Sequence, residues 1–252
     1  MKTGVILPSF RDTPGEALAV AAAAEEAGVD GVFCYDHLWP MGQPERPALA
    51  PFPLLGMVAR RTERVHVGTL VARIGLVPDR VLLAEFGALS VLAPGRVIAG
   101  LGTGDRQSAA ENEAYGVPSA PADERRAALG RCAVALRDRG LEVWVGGGSR
   151  GTRLVAEEAG VAVNLWDVPP AAVAEQARRS EVTWGGPVPK AGRSSGRPPS
   201  GGAPAGADAG DGEAIAHLLA GLARAGATWA VFAWPVPLAT VVACARTAAS
   251  GR

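Results

Sequence analysis

Lysine is nearly missing from this chain: of its 25 basic residues only Lys2 and Lys190 are lysine. A Schiff-base mechanism therefore has almost no candidate. Surplus charge is missing too, because 25 Lys+Arg balance 25 Asp+Glu. That argues against nucleic acid or a membrane surface as partner, since both need excess positive charge. The three cysteines, Cys34, Cys132 and Cys244, are scattered and form no CxxC. They read as buried thiols of a reducing compartment rather than a disulfide framework. The three histidines, His37, His66 and His217, show no HxxxH spacing, which speaks against zinc. Neither GxSxG nor GxxxxGK[ST] occurs, lowering the hydrolase and P-loop readings. The apolar run 17–24 ends at Glu25 and is too short to span a bilayer. With one lysine and a brief apolar stretch, the N-terminus is not expected to be a signal peptide, and the protein is expected to be cytoplasmic.

What is present is a rhythm. Short apolar runs at 4–8, 31–36, 65–71, 97–102, 143–146, 161–166, 181–184 and 229–234 read as strands. Helical stretches at 14–27, 50–63, 78–92, 123–138, 150–159, 173–179, 212–225 and 238–249 follow them in turn, several closed by Gly or Pro-Gly. The strands are continuous apolar runs, as expected when both faces of a parallel sheet are covered. Eight such pairs in 252 residues, about 31 residues each, predict a single (β/α)8 barrel domain over 1–252. A doubly wound open sheet fits the same pattern. One segment breaks it: 20 of the 26 residues from 187 to 212 are Gly, Pro, Ser or Ala, too apolar-poor to offset the entropy of ordering them. It is expected to be a flexible loop after strand seven.

Chemistry in a parallel barrel belongs at the carboxyl ends of the strands. Strand two is followed there by Tyr35-Asp36-His37-Leu38-Trp39, strand four by Gly102-Thr103-Gly104-Asp105, and strand five by Gly146-Gly147-Gly148-Ser149-Arg150. Taken alone, Asp36 also suits a turn and Asp105 a cap. Three glycines and a serine entering a helix offer backbone N–H groups to an anion or make a plain tight turn. Glu111-Asn112-Glu113 reads as a solvated helix start rather than a pocket wall. His66 is expected at the barrel bottom, and His217 in solvent or at a helix–sheet seam.

The strings AEEAGVDGVFCYDHLWP, RTERVHVGTLV, LSVLAPGRVIAGLGTGD and VWVGGGSRGTRLVAEEAG occur in that order across most of residues 1 to 167. Together they resemble the luciferase-like monooxygenase superfamily, most closely its branch that uses the deazaflavin coenzyme F420. GATWAVFAWP resembles the family's last strand. The resemblance implies a barrel with a deazaflavin at its C-terminal mouth. It implies that Asp36 and His37 lie over that ring with Trp39 nearby, and that a non-proline cis peptide, placed at Leu70-Val71, backs it. It further implies that Thr103 and Asp105 occupy the acid-bearing turn, with Asp where a sugar-phosphate dehydrogenase branch has Glu. Gly147, Gly148 and Ser149 match its phosphate-binding turn. The family's usual insertion before strand five is absent here, since Leu141 follows the helix almost directly.

These implications make the expected function a hydride transfer between F420 and a small organic substrate. His37 or Asp105 would move the accompanying proton, and the protein would act as a homodimer. An FMN-dependent monooxygenase and a non-catalytic flavin-binding barrel are the alternatives.

Overall fold

A computed structural model describes residues 1–104, 108–189 and 209–250. The strands are β1 (Lys2–Ile6), β2 (Gly31–Cys34), β3 (His66–Thr69), β4 (Ala72–Arg73), β5 (Val97–Gly102), β6 (Glu142–Gly146), β7 (Ala162–Trp166), β8 (Val182–Gly186) and β9 (Trp229–Ala233). The helices are α1 (Gly15–Ala27), α2 (Pro51–Arg61), α3 (Asp79–Leu92), α4 (Ser108–Ala114), α5 (Ala122–Arg137), α6 (Arg150–Ala159), α7 (Pro170–Ala177), α8 (Ala209–Ala225) and α9 (Leu238–Ser250).

Strand order is β3-β2-β1-β9-β8-β7-β6-β5-β4, and a further β3–β5 pairing closes the ring. Every pairing is parallel. Closure excludes the open doubly wound sheet and makes this a (β/α)8 barrel. The expected third strand, 65–71, is not continuous. It splits into β3 and β4, whose partners on β5 are Gly68↔Ile98 and Ala72↔Leu101. Four residue steps on one strand thus face three on the other, a bulge. The Leu70-Val71 peptide within it is cis, as is Trp234-Pro235.

Alternation along each strand divides the apolar residues between two cores. Val5, Leu7, Val32, Cys34, Val143 and Val145 face the helices, while Ile6, Phe33 and Trp144 face the barrel axis. Three aromatics plug the interior: Phe33 stacks on Trp144 at 5.1 Å and Trp144 meets Trp229 edge-on at 5.3 Å. Glycines make room for them, because a Cβ on Gly4 would strike the Phe33 ring and one on Gly31 the Trp229 ring. His66 lies below this plug, edge-on to Trp229 at 5.5 Å, at the barrel bottom as its position suggested. His217 is exposed on α8.

Two elements depart from the pattern. Helix α4 is additional, inserted after β5 where no helix was expected. Helix α8 starts at Ala209, three residues before its expected start, and so takes in the end of the segment expected to be a loop; most of that segment, 190–208, lies outside the described residues. Among the described residues no helix is long and apolar enough to cross a membrane, and no cluster of His, Cys, Asp or Glu could hold a metal ion.

Candidate active site at the barrel mouth

The bulge shapes the mouth. It carries Leu70 and Val71 to the barrel axis, where Leu70 joins the interior cluster and Val71 packs against it. Strand β5 accommodates the bulge by having no side chains there. A Cβ on Gly100 would collide with the Thr69 carbonyl, and one on Gly102 with Val71. The glycines of Gly100-Leu101-Gly102 therefore serve close backbone approach rather than nucleotide phosphate. The Thr69 hydroxyl donates to the Gly100 carbonyl at 2.7 Å and ties the two strands together.

Above this apolar floor stands a ring of aromatic groups. Tyr35, just past β2, stacks on Phe10 at 6.0 Å, meets Trp166 edge-on at 6.1 Å and lies 6.1 Å from the His37 ring. Trp166, the last residue of β7, is 44% exposed. Trp39 is buried and packs on Tyr115 at 5.7 Å.

The polar side of the mouth converges on Glu111 of α4. Glu113 is exposed, as expected of a solvated helix start, but Glu111 is 0% exposed, which overturns that reading at this residue. Its Oε1 lies 2.7 Å from His37 Nδ1; its Oε2 accepts from the Leu38 amide at 3.1 Å and from Arg73 Nη2 at 3.1 Å. Burial without such partners would be costly, and here each oxygen has at least one. Glu111 thus engages the His37 ring through Nδ1, and the ring's other nitrogen, Nε2, is not held by it. Asp36 is buried beside this group and its Oδ2 accepts the Arg73 backbone N–H. Burial pushes its carboxyl up to about 6, against the pull of the Arg73 charge.

The other expected site residues lie on the same rim. Ser149 caps α6: its Oγ accepts from the Thr152 amide at 3.1 Å, and the Thr152 hydroxyl accepts from the Ser149 amide at 3.2 Å. Gly147 donates to the Asn164 carbonyl at 2.8 Å, and Gly148 has open space where a Cβ would be. The Ser149 hydroxyl is thus engaged as the cap of α6. Thr103 is half-buried, and its carbonyl accepts from Arg125 Nη1 at 2.5 Å. Asp105 lies outside the described residues. The sequence reading missed Glu111, Arg73 and Trp166. An arginine at the end of an apolar strand was the available signal, because it requires a carboxylate nearby.

A closed parallel barrel with an imidazole and buried carboxylates at its C-terminal mouth defines a class, the (β/α)8 barrels whose polar groups gather at that rim. The family model for luciferase-like monooxygenase matches residues 1–131, and the chain belongs to that family. A relative from Beutenbergia cavernae named F420-dependent glucose-6-phosphate dehydrogenase is 40% identical over 124 residues, 49% of this chain and 36% of that protein. The F420-dependent hydroxymycolic acid dehydrogenase of Mycobacterium tuberculosis is 35% identical over 104 residues, 41% of this chain and 29% of that one. The chain thus spans about a third of the length of the curated relatives it matches. Among solved structures, an F420-dependent secondary alcohol dehydrogenase in complex with an F420–acetone adduct shares the fold. Its TM-score is 0.72 at 14% identity, covering 96% of this chain and 97% of that one.

Proposed function

We propose that the protein is an F420-dependent oxidoreductase of a small organic substrate. The observation that carries this reading is the His37 imidazole, held by the buried Glu111 carboxylate, beside an apolar floor of Leu70 and Val71. The F420-dependent names of the relatives support it.

The mouth fits a deazaflavin by its chemistry. Leu70 and Val71 offer a flat apolar backing, Tyr35 and Trp166 offer aromatic flanks, and the N-terminus of α6 at Gly148-Ser149 offers N–H groups to a phosphate. Coenzyme F420, when bound, supplies a two-electron hydride carrier. The chain's own part is orientation and proton handling. Glu111 fixes the His37 ring and its tautomer, and His37 Nε2 delivers or takes the proton that accompanies hydride transfer. Asp36, anchored on the Arg73 amide, holds the His37 segment against the rim. Leu70 and Val71 exclude water from one face of the reacting centre. Trp39, packed on Tyr115, acts by shaping the loop after β2. The protein is further read as a cytoplasmic homodimer whose contact uses the outer face of α2 and α3, where Met57, Val81, Val91 and Leu92 are exposed.

Fluorescence titration of purified, cofactor-stripped protein with F420 and separately with FMN tests the assignment. Binding of F420 in the micromolar range or tighter, with FMN weaker, is the expected result. Selective FMN binding would move the protein to flavin monooxygenases, and binding of neither would make it a scaffold. His37→Ala is expected to lower turnover by about 10²–10⁴-fold while leaving F420 affinity nearly intact.

A further inference from the structure

Four buried side-chain polar atoms have no hydrogen-bond partner among the described residues: Arg73 Nε, Arg73 Nη1, Arg125 Nε and Asn112 Oδ1. Their three residues line one pocket of about 30 Å³, between α4, the N-terminal part of α5 and the chain after β4. Unpaired buried groups are rare in folded proteins, and their concentration around one space calls for an occupant.

The occupant's charge follows from the walls. Arg73 is 4% exposed, and Glu111 engages only its Nη2, at 3.1 Å. Arg125 spends Nη1 on the Thr103 and Gly104 carbonyls at 2.5 and 3.5 Å. Arg73 Nε and Nη1 and Arg125 Nε therefore remain unused on residues that line the pocket. No acidic side chain lines the pocket among the described residues. Gly104, at φ 68°, completes the wall; a Cβ there would meet Arg73 Cδ at 2.8 Å and push the guanidinium off its place.

Size narrows the choice. One water needs roughly 10–15 Å³ by the same measure, so the space holds about two or three oxygen atoms. That is the number a carboxylate or one face of a phosphate presents to its donors; Glu111 offsets Arg73, but no carboxylate among the described residues pairs with Arg125, whose charge water would leave without a counter-ion. We propose that this pocket binds a small protonated oxyanion, with hydrogen phosphate as its representative: its bare oxygens accept from Arg73 Nε and Nη1 and Arg125 Nε, and its P–OH donates to Asn112 Oδ1. The source is either the free ion or a phosphate group of a ligand reaching over from the mouth. The site does not depend on the identity of the cofactor.

The test uses the full chain in phosphate-free buffer. Inorganic phosphate at about 10 mM should raise the melting temperature by about 5 °C or more over sodium chloride of equal ionic strength, and give a saturable calorimetric isotherm. Asn112→Asp puts a carboxylate on the pocket wall in place of the unpartnered amide. It should raise the melting temperature without phosphate and remove the phosphate response. Arg125→Gln, checked for folding by near-UV circular dichroism, should weaken phosphate binding at least about tenfold. A wild-type response no larger than that to chloride, or an Asn112→Asp protein that responds like wild type, overturns the proposal. Titrating F420 with and without phosphate separates the sources. A raised apparent Kd places the phosphate group on the mouth ligand, and an unchanged one identifies the free ion.

Discussion

Asp36 shows most clearly how burial and charge compete at a single residue. Its carboxyl, 3.8 when free, is pushed up to about 6, chiefly by loss of water and in spite of Arg73. Below about pH 4 both folded and unfolded chains carry the proton. Between there and pH 6 the unfolded chain has released it while the folded chain keeps it, so stability falls as pH rises through this window. The loss is on the order of 3 kcal/mol, and above pH 6 it stays constant. Asp36→Asn keeps an acceptor for the Arg73 amide and cannot ionise. Urea midpoints measured from pH 4 to pH 8 are expected to fall for wild type relative to the variant; parallel curves would remove Asp36 as the cause. At this scale the sequence was half legible. Position after a strand pointed to Asp36 and His37, whereas Glu111 takes its role from three chain segments meeting at residues 37, 73 and 111. Nothing local to a seven-residue, alanine-rich helix announces that encounter.

Elements were more legible because their signals are local. Helix α6 begins and ends where its serine cap and Gly160 place it. Strand ends shift by a residue or two because pairing, not apolarity, sets them. Lys2 belongs to β1 since it pairs with Trp229 and lays its ammonium over that ring at 5.0 Å. The bulge between β3 and β4 is an element-scale device that depends on a bare neighbouring strand, and this can be tested with two glycines of opposite context. A Cβ on Gly100 would collide with the Thr69 carbonyl, whereas one on Gly87 within α3 meets nothing within 4 Å. Gly100→Ala is expected to cost about 1–3 kcal/mol and to weaken ligand binding at the mouth by displacing Leu70 and Val71. Gly87→Ala should stabilise by about 0.5–1 kcal/mol through helix propensity alone. Chemical denaturation of the pair decides: equal effects would mean that β5 can move away from the bulge at little cost.

For the molecule as a whole, the repeat of strand and helix predicts the barrel, but not which apolar side chains stay on its outer surface. The large apolar side chains left in solvent are not spread evenly. Met57 on α2 and Val81, Val91 and Leu92 on α3 are all exposed, Val91 to 79%. The two helices pack on each other through Phe52 and Phe86, 5.0 Å apart, and a Cβ on Gly56 would touch Leu92, so the two helices lie side by side on the outside of the barrel. Contiguous exposed apolar surface on a folded chain marks an interaction site. A formal net charge of zero gives two copies little long-range repulsion to overcome. A two-fold contact would set this face of one copy against the same face of the other. Light scattering at tens of micromolar should therefore report twice the chain mass of 25.7 kDa. Val91→Glu with Leu92→Glu places four new like charges in the middle of that contact, two from each copy, and should return the chain to its single mass. Both substituted positions are exposed, whereas Leu82, Phe86 and Leu89, which anchor the helix to the barrel, are buried and unchanged, so the monomer should keep its fold and its ligand affinity. A wild-type chain that runs as a monomer, or a variant that stays dimeric, would move the contact elsewhere and leave the α2–α3 face without a partner.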